Sequence, residues 1–577
     1  MLVAIALALT ASSAPGFFRV EKSAGTWWFL SPSGERFWSL GVNCVTGGVT
    51  KEKWNDANPS YAWWRYHSTH EAWAEESMDR LRRWGFNTLG AWSDYQALNS
   101  ASKPMPYTEV LYFGTSIEAP ASDLFSPEAE KVIEQVAKEY VPKLANDPNL
   151  IGWFSDNELG WWDDTLFVHF MAQSKENHTK QRLVALIEEH YGGDWDKLLK
   201  DWKPERAKSF SELLHETAMV LRPGGDGMKL VNRFIYVLAD RYYKLCRDAI
   251  RRYDKNHLYL GDRYIQWYPQ EVARAAGKYV DVVSTNYGAD WTSGNLSRFY
   301  LENLHAITSK PILITEFYFC AMDNRSGNKN TKHIFPTVDT QGEREAGFQR
   351  NLSTLVQLPY VIGAHWFQYF DEPTHGREDG EDYNMGLVDI HNKPYDGMLG
   401  VVKRVLPMIS ARGKTTLPKP DSSVPPAGER VMDGLREWDV ADTYLPSESK
   451  EPFADLYACW SKDTLYLAVH TAYYADKRLW GGSTPAEDQM QLTLTLGGMK
   501  EPIRAWFGVN VPCKVQPEVP VKQWDRSVKT TLLLSLDASL FGKSPLAERT
   551  EIPLQMHLAA PGRAEEMSWG TTIRLRR

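Results

Sequence analysis

Residues 151–162 read IGWFSDNELGWW, an apolar run that ends abruptly in Asp156, Asn157 and Glu158. A short apolar run bounded by polar residues is typical of a strand buried on both faces. Polar side chains at the carboxyl end of such a strand either cap neighbouring backbone or take part in chemistry. The pattern of the flanking chain bears on which of these two roles applies.

The flanking chain alternates short apolar runs with longer segments of helical period, such as residues 70–85. This alternation predicts a (β/α)8 TIM barrel over residues 17–412, with a helix-rich insertion at about 162–225 and with reactive residues at the carboxyl ends of the strands. The eight predicted strands are at residues 37–43, 86–92, 110–114, 150–158, 257–263, 280–287, 311–317 and 361–368.

A chain of 577 residues is too long for one ordinary domain, and its composition changes after the predicted barrel. Residues 413–429 are rich in Pro, Ser and Lys without periodicity, which predicts a linker. Residues 430–577 contain short alternating runs separated by turn residues, the pattern of an antiparallel β-sandwich. We therefore expect at least two domains.

The amino terminus and the overall charge indicate location and partners. Residues 1–16 form an apolar run followed by small residues, like a secretory signal that lacks the usual basic start, so we expect a secreted or periplasmic protein. A buried strand or an alternative start site would explain the same run, which is too short to span a bilayer. The net charge of -8 argues against nucleic acid as the main partner.

No cofactor or metal is expected from the sequence. The five cysteines are scattered and odd in number, so they indicate neither a disulfide framework nor a zinc site. The acidic run at residues 376–382 lacks the alternating ligands and closing glutamate of a calcium loop. Dinucleotide and phosphate-loop motifs are also missing.

Two glutamates end predicted strands, Glu158 after strand four and Glu316 after strand seven. A glycosidic bond is broken by two carboxyl groups, one of which protonates the leaving oxygen while the other attacks or activates water. Either glutamate alone would be compatible with an ion-paired strand end. Both at the mouth of one barrel predict a glycosidase.

Three stretches carry a resemblance to a known family: WFSDNELGW (153–161), ITEFYFCAMD (314–323) and the long segment from Gly363 to Tyr395. They resemble glycoside hydrolase family 50, the β-agarases, within the clan A retaining glycosidases. The resemblance covers Phe37 to about Tyr395 and implies that Glu158 is the acid/base and Glu316 the nucleophile.

The chain departs from the family pattern in two ways. Tyr318 stands where the family usually has His, and a polar segment at residues 324–333 follows it. The sandwich also follows the barrel, whereas family members tend to carry one before it. The resemblance implies a galactose-containing, agar-like polysaccharide or its oligosaccharides as substrate.

Other strand ends supply candidate substrate-binding residues. By resemblance, Asn157 would bond the sugar 2-hydroxyl and Trp366 would form an aromatic platform. Tyr287 is expected to orient Glu316, with a core tyrosine as the alternative. The full set of predicted substrate-binding residues is Asn43, Trp92, Asn157, Arg263, Asn286, Tyr287 and Trp366.

The carboxy-terminal domain resembles the family 9 carbohydrate-binding modules in the order of VMDGLREWD (431–439) and EDQMQLTL (487–494). Trp438, Trp460 and Trp480 could stack on sugar, and their packing into the sandwich core is the alternative.

The leading hypothesis is therefore a secreted retaining β-glycoside hydrolase, with Glu158 protonated and Glu316 ionised at the start of the reaction. An exo-acting β-galactosidase or another β-glycosidase of the same clan is the alternative within the enzyme class. A carbohydrate-binding protein without catalysis is the alternative outside it, and the presence of both glutamates argues against it.

Overall fold

The computed structural model describes residues 16–332, 334–414, 422–435, 438, 440–563 and 565–577. The predicted secretory signal and residues 415–421 of the predicted linker lie outside the described residues. Among the residues that are described, no helix is both long enough and apolar enough to cross a membrane.

A nine-stranded parallel sheet forms the centre of the molecule, and the predicted mixed α/β architecture is confirmed. Its order is β10-β7-β6-β5-β4-β16-β13-β12-β11. The strands are β4 (Ser39–Val42), β5 (Thr88–Leu89), β6 (Tyr107–Val110), β7 (Leu150–Phe154), β10 (Leu258–Tyr259), β11 (Tyr264–Ile265), β12 (Val283–Asn286), β13 (Ile312–Phe317) and β16 (Val361–Trp366).

The two edges of this sheet are consecutive in the chain. Strand β10 pairs with β7 and β11 pairs with β12, and only residues 260–263 separate β10 from β11. The fifth strand predicted at residues 257–263 is therefore shorter, since β10 ends at Tyr259, and β11 begins just beyond the predicted bounds, because Gly261 (φ 82°) and Arg263 (φ 55°) have left-handed backbone between the two. Both edges of the sheet belong to one stretch of chain that hydrogen-bonds strands on either side.

The third predicted strand is misplaced by a few residues. Strand β6 begins at Tyr107, whereas the sequence pattern favoured residues 110–114. Tyr107 donates from its backbone to Asn149, and the chain turns away at Tyr112, whose φ is 58°. Most of the apolar run at residues 110–114 therefore lies in the loop that follows β6.

Helices cover the parallel sheet, and their ends carry ordinary capping signals. Helix α1 is capped by Thr69 and ends at Gly85 (φ 101°), while Ser126 caps α3 ahead of Pro127. The helices are α1 (His70–Trp84), α2 (Tyr95–Ala101), α3 (Pro127–Leu144), α4 (Asp163–Met171), α5 (His178–Tyr191), α6 (Trp195–Asp201), α7 (Gly227–Tyr253), α8 (Gln270–Ala276), α9 (Arg298–Thr308), α10 (Gln341–Gln357) and α11 (Asp396–Ala411).

Three small sheets of the described residues lie beside the parallel sheet. The first is antiparallel and precedes the parallel sheet in the chain. The second, also antiparallel, lies in the helix-rich insertion, and the third lies in the loop after β13. Their strands are β1 (Arg19–Ser23), β2 (Thr26–Leu30) and β3 (Arg36–Phe37), then β8 (Trp202–Pro204) with β9 (Met219–Leu221), and β14 (Cys320–Ala321) with β15 (Thr337–Val338).

The carboxy-terminal region contains two further sheets, mostly antiparallel, that enclose a hydrophobic core of their own. The first has the order β17-β27-β26-β21-β22-β23 and the second β18-β19-β20-β25-β24. Their strands are β17 (Ser423–Val424), β18 (Tyr444–Leu445), β19 (Ala454–Trp460), β20 (Thr464–Ala472), β21 (Met490–Leu496), β22 (Ile503–Gly508), β23 (Val511–Gln516), β24 (Val521–Arg526), β25 (Lys529–Asp537), β26 (Glu551–Ala559) and β27 (Met567–Leu575), and helix α12 (Val440–Thr443) precedes β18. Strand β17 belongs to the segment predicted as linker.

The three candidate sugar-stacking tryptophans of this region are occupied by packing. The Trp438 and Trp480 rings are buried, and their indole nitrogens donate to the Val431 carbonyl and to Asp488. Trp460 is half-buried and donates to the Arg576 carbonyl. Trp438 and Trp480 therefore serve as core residues, whereas part of Trp460 is exposed.

Candidate active site

The carboxyl ends of the strands carry an unusual concentration of left-handed backbone. Among the residues after β4, β5 and β7 and between β10 and β11, Cys44, Trp92, Glu158 and Arg263 have φ of 55°, 60°, 56° and 55°. Positive φ is uncommon for residues other than glycine and costs about 1–3 kcal/mol each, so such residues collect where function requires a fixed direction. The same edge of the sheet carries the two candidate glutamates.

The three polar residues after β7 divide between structure and site. Asp156 is completely buried, and its carboxylate accepts from the backbone N–H groups of Gly114 (2.6 Å) and Thr115 (2.8 Å) and from Tyr242 (2.5 Å). Asn157 and Glu158 are only half-buried. The first carboxylate therefore caps neighbouring backbone, and the next two side chains face the site.

One amide group joins the two glutamates. The Nδ2 of Asn286, at the end of β12, lies 2.8 Å from Oε1 of Glu158 and 3.0 Å from Oε1 of Glu316. The same nitrogen lies 3.1 Å from Oδ1 of Asn157. Thr315 donates to Oδ1 of Asn286 at 2.7 Å, which fixes the orientation of the amide. Both carboxylates thus converge on one donor.

Arg263 forms a second link between strand ends. Its Nη2 donates to Oε1 of Glu316 at 2.6 Å, and its Nε donates to Oδ1 of Asn157 at 2.8 Å. The guanidinium lies 4.5 Å from the centre of the Trp92 ring and 5.1 Å from that of Phe154. The stacking and the two hydrogen bonds hold the cation in one orientation.

Burial raises the pKa of both carboxyl groups, and the positive charge of Arg263 lowers the pKa of both. Burial raises the pKa of Glu316, the Arg263 guanidinium opposes this rise and the charge of Glu158 adds to it. Burial also raises the pKa of Glu158, which Asn286 and Arg263 oppose. Because only Glu316 accepts a hydrogen bond from the guanidinium, the negative charge of the pair is favoured on Glu316 and the proton on Glu158.

The pocket walls are aromatic and include residues that the sequence did not single out. The half-buried Trp92 ring donates from its indole N–H to Tyr112 and meets Phe367 edge-on at 6.2 Å. Tyr318 accepts a hydrogen bond of 2.6 Å from Gln266, and the charges of both glutamates act on its hydroxyl. Tyr318 was distinguished in the sequence only as a departure from the family pattern.

The acidic run after β16 lies near enough for its charge to act on the two glutamates. Arg377 binds Asp379 and Glu381, at 2.7 and 2.8 Å, and lies 3.4 Å from the buried carboxylate of Glu372. The charge of Glu381 raises the pKa of both Glu158 and Glu316. The sequence of residues 376–382 did not predict that this segment lies near the active site, because the same sequence is equally typical of a solvated turn.

Two predicted substrate contacts are wrong. The Tyr287 hydroxyl donates to Asp290 and not to Glu316, and the side chain is 1% exposed. Trp366 has no exposed surface, because side chains alternate along a strand and its ring points outward against Phe348. The next residue, Phe367, is the aromatic side chain that meets Trp92.

Three more predicted contacts are too deep to touch a ligand directly. Asn43, Arg263 and Asn286 are fully buried. Asn43 donates to the carbonyl groups of Thr315 (2.9 Å) and Trp366 (3.3 Å), and so ties together three strand ends. These three residues hold the site from beneath, whereas the exposed surface belongs to Trp92, Asn157 and Glu158, with a small part of Glu316.

Within the described ranges, no three or more His, Cys, Asp or Glu side chains form a group that could hold a metal ion. His365, beside the predicted platform, is buried and lies 2.8 Å from Ser39 Oγ, and burial lowers its pKa to about 3. Its surroundings are those of a structural histidine.

Two curated beta-agarases and a crystal structure of an agarase are similar to this chain. Beta-agarase B of Vibrio sp. (strain JT0107) is 26% identical over 475 residues, which are 67% of this chain and 48% of that protein. The chain is similar to family 50 β-agarases. The crystal structure of an agarase superposes with a TM-score of 0.60 and 25% identity over 69% of this chain and 66% of that one. A family 50 protein of known structure shares the fold with a TM-score of 0.60 and 23% identity, over 69% of this chain and 67% of its own.

The predicted resemblance to family 50 is thus confirmed. The chain spans about half the length of the curated agarase that it matches. No model of a known protein family matches it.

Proposed function

We propose that the chain is a retaining β-glycoside hydrolase that acts on an agar-like, galactose-containing polysaccharide or on its oligosaccharides. The observation that carries the proposal is the Asn286 amide, which lies within hydrogen-bonding distance of both Glu158 and Glu316. Agarase names among the similar proteins support the choice of substrate.

The shared donor limits the distance between the two carboxyl groups. Oxygens that lie 2.8 and 3.0 Å from one nitrogen cannot be farther apart than the sum of these distances. Nearest oxygens this close are compatible with the roughly 5–5.5 Å between the carboxyl groups of a retaining enzyme. The geometry therefore supports double displacement.

In this mechanism Glu316 attacks the anomeric carbon while Glu158 gives its proton to the leaving glycosidic oxygen. The C–O bond to the leaving sugar breaks, and an ester bond forms between the sugar and the Glu316 carboxylate. Glu158, now ionised, takes a proton from water, which attacks the anomeric carbon and releases Glu316. Asn157 is placed beside both carboxyl groups, where it can bond the sugar 2-hydroxyl.

Arg263 and Asn286 act on Glu316 from below. Both donate to its Oε1, at 2.6 and 3.0 Å. Their hydrogen bonds stabilise the carboxylate before attack and leave its second oxygen for the sugar. Such fixed donors lower the cost of reorganisation during the reaction.

The scaffold proposed for this chemistry is a closed (β/α)8 barrel over residues 17–412. Closure would run through residues 258–265, which pair with β7 at one end and with β12 at the other. Residues 430–577 are proposed as a separate sandwich domain, supported by their own hydrophobic core. Secretion is proposed from the apolar run at residues 1–16, because agar polymers lie outside cells.

Product analysis on agarose, porphyran, carrageenan and aryl β-glycosides tests the proposal. We expect hydrolysis of agarose or its oligosaccharides and loss of that activity in Glu316→Gly. Hydrolysis of aryl β-galactosides alone would favour an exo-acting β-galactosidase. Binding of agarose without any hydrolysis would overturn the enzymatic proposal.

A further inference from the structure

A hairpin of the carboxy-terminal region touches both loops that carry the site's strand ends. Strands β24 and β25 meet at residues 526–529, and this turn lies against the loop after β12 and the loop after β13. Lys529 binds Asp290 in the first loop, and Arg526 donates from Nη2 to the Ile334 carbonyl in the second at 2.6 Å. A lysine makes the contact with the first loop, and an arginine makes the contact with the second.

The pair of Lys529 and Asp290 is almost buried, with side chains that are 11% and 10% exposed. Burial alone would raise the pKa of Asp290, but the nearby Lys529 ammonium holds this pKa well below its ordinary value. The Lys529 ammonium also lies 5.0 Å from the centre of the Tyr287 ring. Removing one partner of a buried pair leaves the other charge uncompensated, so the loop conformation depends on the lysine.

Hydrogen bonds connect Asp290, which Lys529 holds in place, to the end of β12. It accepts from the Tyr287 hydroxyl and from the backbone N–H and the hydroxyl of Ser297, at 2.8 and 2.6 Å. The backbone N–H of Tyr287 donates to the carbonyl of Glu316 at 2.9 Å. Asn286, the residue before Tyr287, holds both glutamates.

Arg526 acts on the other wall. The residue after its acceptor is Phe335, whose ring centre lies 4.0 Å from that of Tyr318. Tyr318 in turn binds Gln266 and lies within the electrostatic reach of both glutamates. The hairpin therefore supports the pocket from two directions.

We propose that Lys529, assisted by Arg526, is a positioning residue for Asn286 and Glu316, so that the carboxy-terminal sheets are part of the active-site scaffold. The effect of Lys529 on turnover rests on the proposed function, whereas its effect on the β12 loop does not. The packed indoles of Trp438, Trp460 and Trp480 agree with a supporting role for this region.

The test uses the full chain with Lys529→Met and the matched control Lys500→Met, an exposed lysine of the same region. Hydrogen exchange of residues 287–297 and steady-state hydrolysis of agarose oligosaccharides are measured together. We expect faster exchange of this loop and a decrease in kcat of up to about 100-fold in Lys529→Met, because small misplacements of reacting groups have effects of that size. KM should change by no more than about twofold, since no sugar contact is removed.

Lys529→Arg should restore most of the exchange protection and of kcat, because the cation is retained. If Lys529→Met fails to fold, Arg526→Met removes two exposed hydrogen bonds, to the Ile334 and Asp290 carbonyl groups, and should raise the exchange of residues 334–338 and lower kcat. Wild-type exchange and kcat in Lys529→Met, or equal effects in Lys500→Met, would overturn the proposal. A wild-type chain that hydrolyses no glycoside, with the loop still responding to Lys529→Met alone, would overturn the proposed function and support the positioning role.

Discussion

Arg263 donates a 2.6 Å hydrogen bond to Oε1 of Glu316, and the side chains are 0% and 9% exposed. The guanidinium also reaches Asn157 and stacks on Trp92. Lysine has neither the planar fork nor the stacking surface to make these contacts together. We expect Arg263→Lys to lower kcat/KM on agarose oligosaccharides by roughly 100-fold while the circular dichroism spectrum is unchanged. A variant that keeps more than half of the wild-type value would exclude a role for the bridge.

The amide of Asn286 separates two carboxyl groups that would otherwise repel each other. In Asn286→Asp a third carboxylate replaces the donor, so the pKa values of Glu158 and Glu316 should rise further. We expect the acidic limb of the kcat/KM profile to move to higher pH and the maximum rate to fall. Asn286→Ala is the matched variant, which removes the donor without adding charge and should give a smaller shift. Superimposable pH profiles for the wild type and Asn286→Asp would contradict the shared-donor geometry.

Trp92 and Trp366 should respond differently to mutation, although both were predicted as substrate contacts. Trp92→Ala removes a half-buried ring from the pocket and from the Arg263 guanidinium, so kcat/KM should fall by about tenfold with little loss of stability. Trp366→Phe removes the 2.8 Å hydrogen bond to the buried Met385 carbonyl, which keeps the Gln368 N–H as a donor, so the loss should cost about 0.5–1.5 kcal/mol in free energy of unfolding. Its KM should stay at the wild-type value. A raised KM in Trp366→Phe would restore the platform interpretation.

Buried carboxyl groups should make the protein less stable as the pH rises. Burial raises the pKa of Glu372 to about 8. Between the unfolded value of about 4.3 and pH 8, the folded chain therefore holds protons that the unfolded chain has lost, so the free energy of unfolding falls with increasing pH.

Urea titrations from pH 5 to pH 8.5 measure this slope. Glu372→Gln should make it shallower by up to about 1.4 kcal/mol per pH unit, because one titrating group is removed while the acceptor for the Tyr383 N–H is kept. Glu378→Gln, at an exposed position of the same loop, should leave the slope unchanged. A wild-type stability that increases towards pH 8 would contradict the burial argument.

The local sequence pattern predicted those site residues whose position depends only on where a single strand ends. Strand β7 and its polar end were readable because an apolar run stops at Asp156, and Glu158 and Glu316 followed from the order of the strands. Arg263 and Trp92 were also selected as strand ends. Their left-handed backbone was not readable, because it depends on the way adjacent strand ends pack.

The wrong assignments share a physical cause, which is contact between residues far apart in sequence. Tyr287 turns to Asp290 because Lys529, more than two hundred positions away, fixes that carboxylate. Trp366 points outward because the register of β16 sets its face, and a shift of one residue exchanges it with Phe367. Neither contact has a local signature.

In the proposed mechanism Glu316 attacks the sugar, and Glu158 serves as acid and then as base. These roles are tested by the anomeric configuration of the product that Glu158→Ala forms from an activated aryl β-glycoside in the presence of azide. Azide can enter the space vacated by Glu158 and attack the covalent intermediate on Glu316, so we expect a β-configured glycosyl azide from Glu158→Ala and none from Glu316→Gly. An α-configured azide from Glu158→Ala would mean that the two roles are reversed or that the reaction proceeds with inversion.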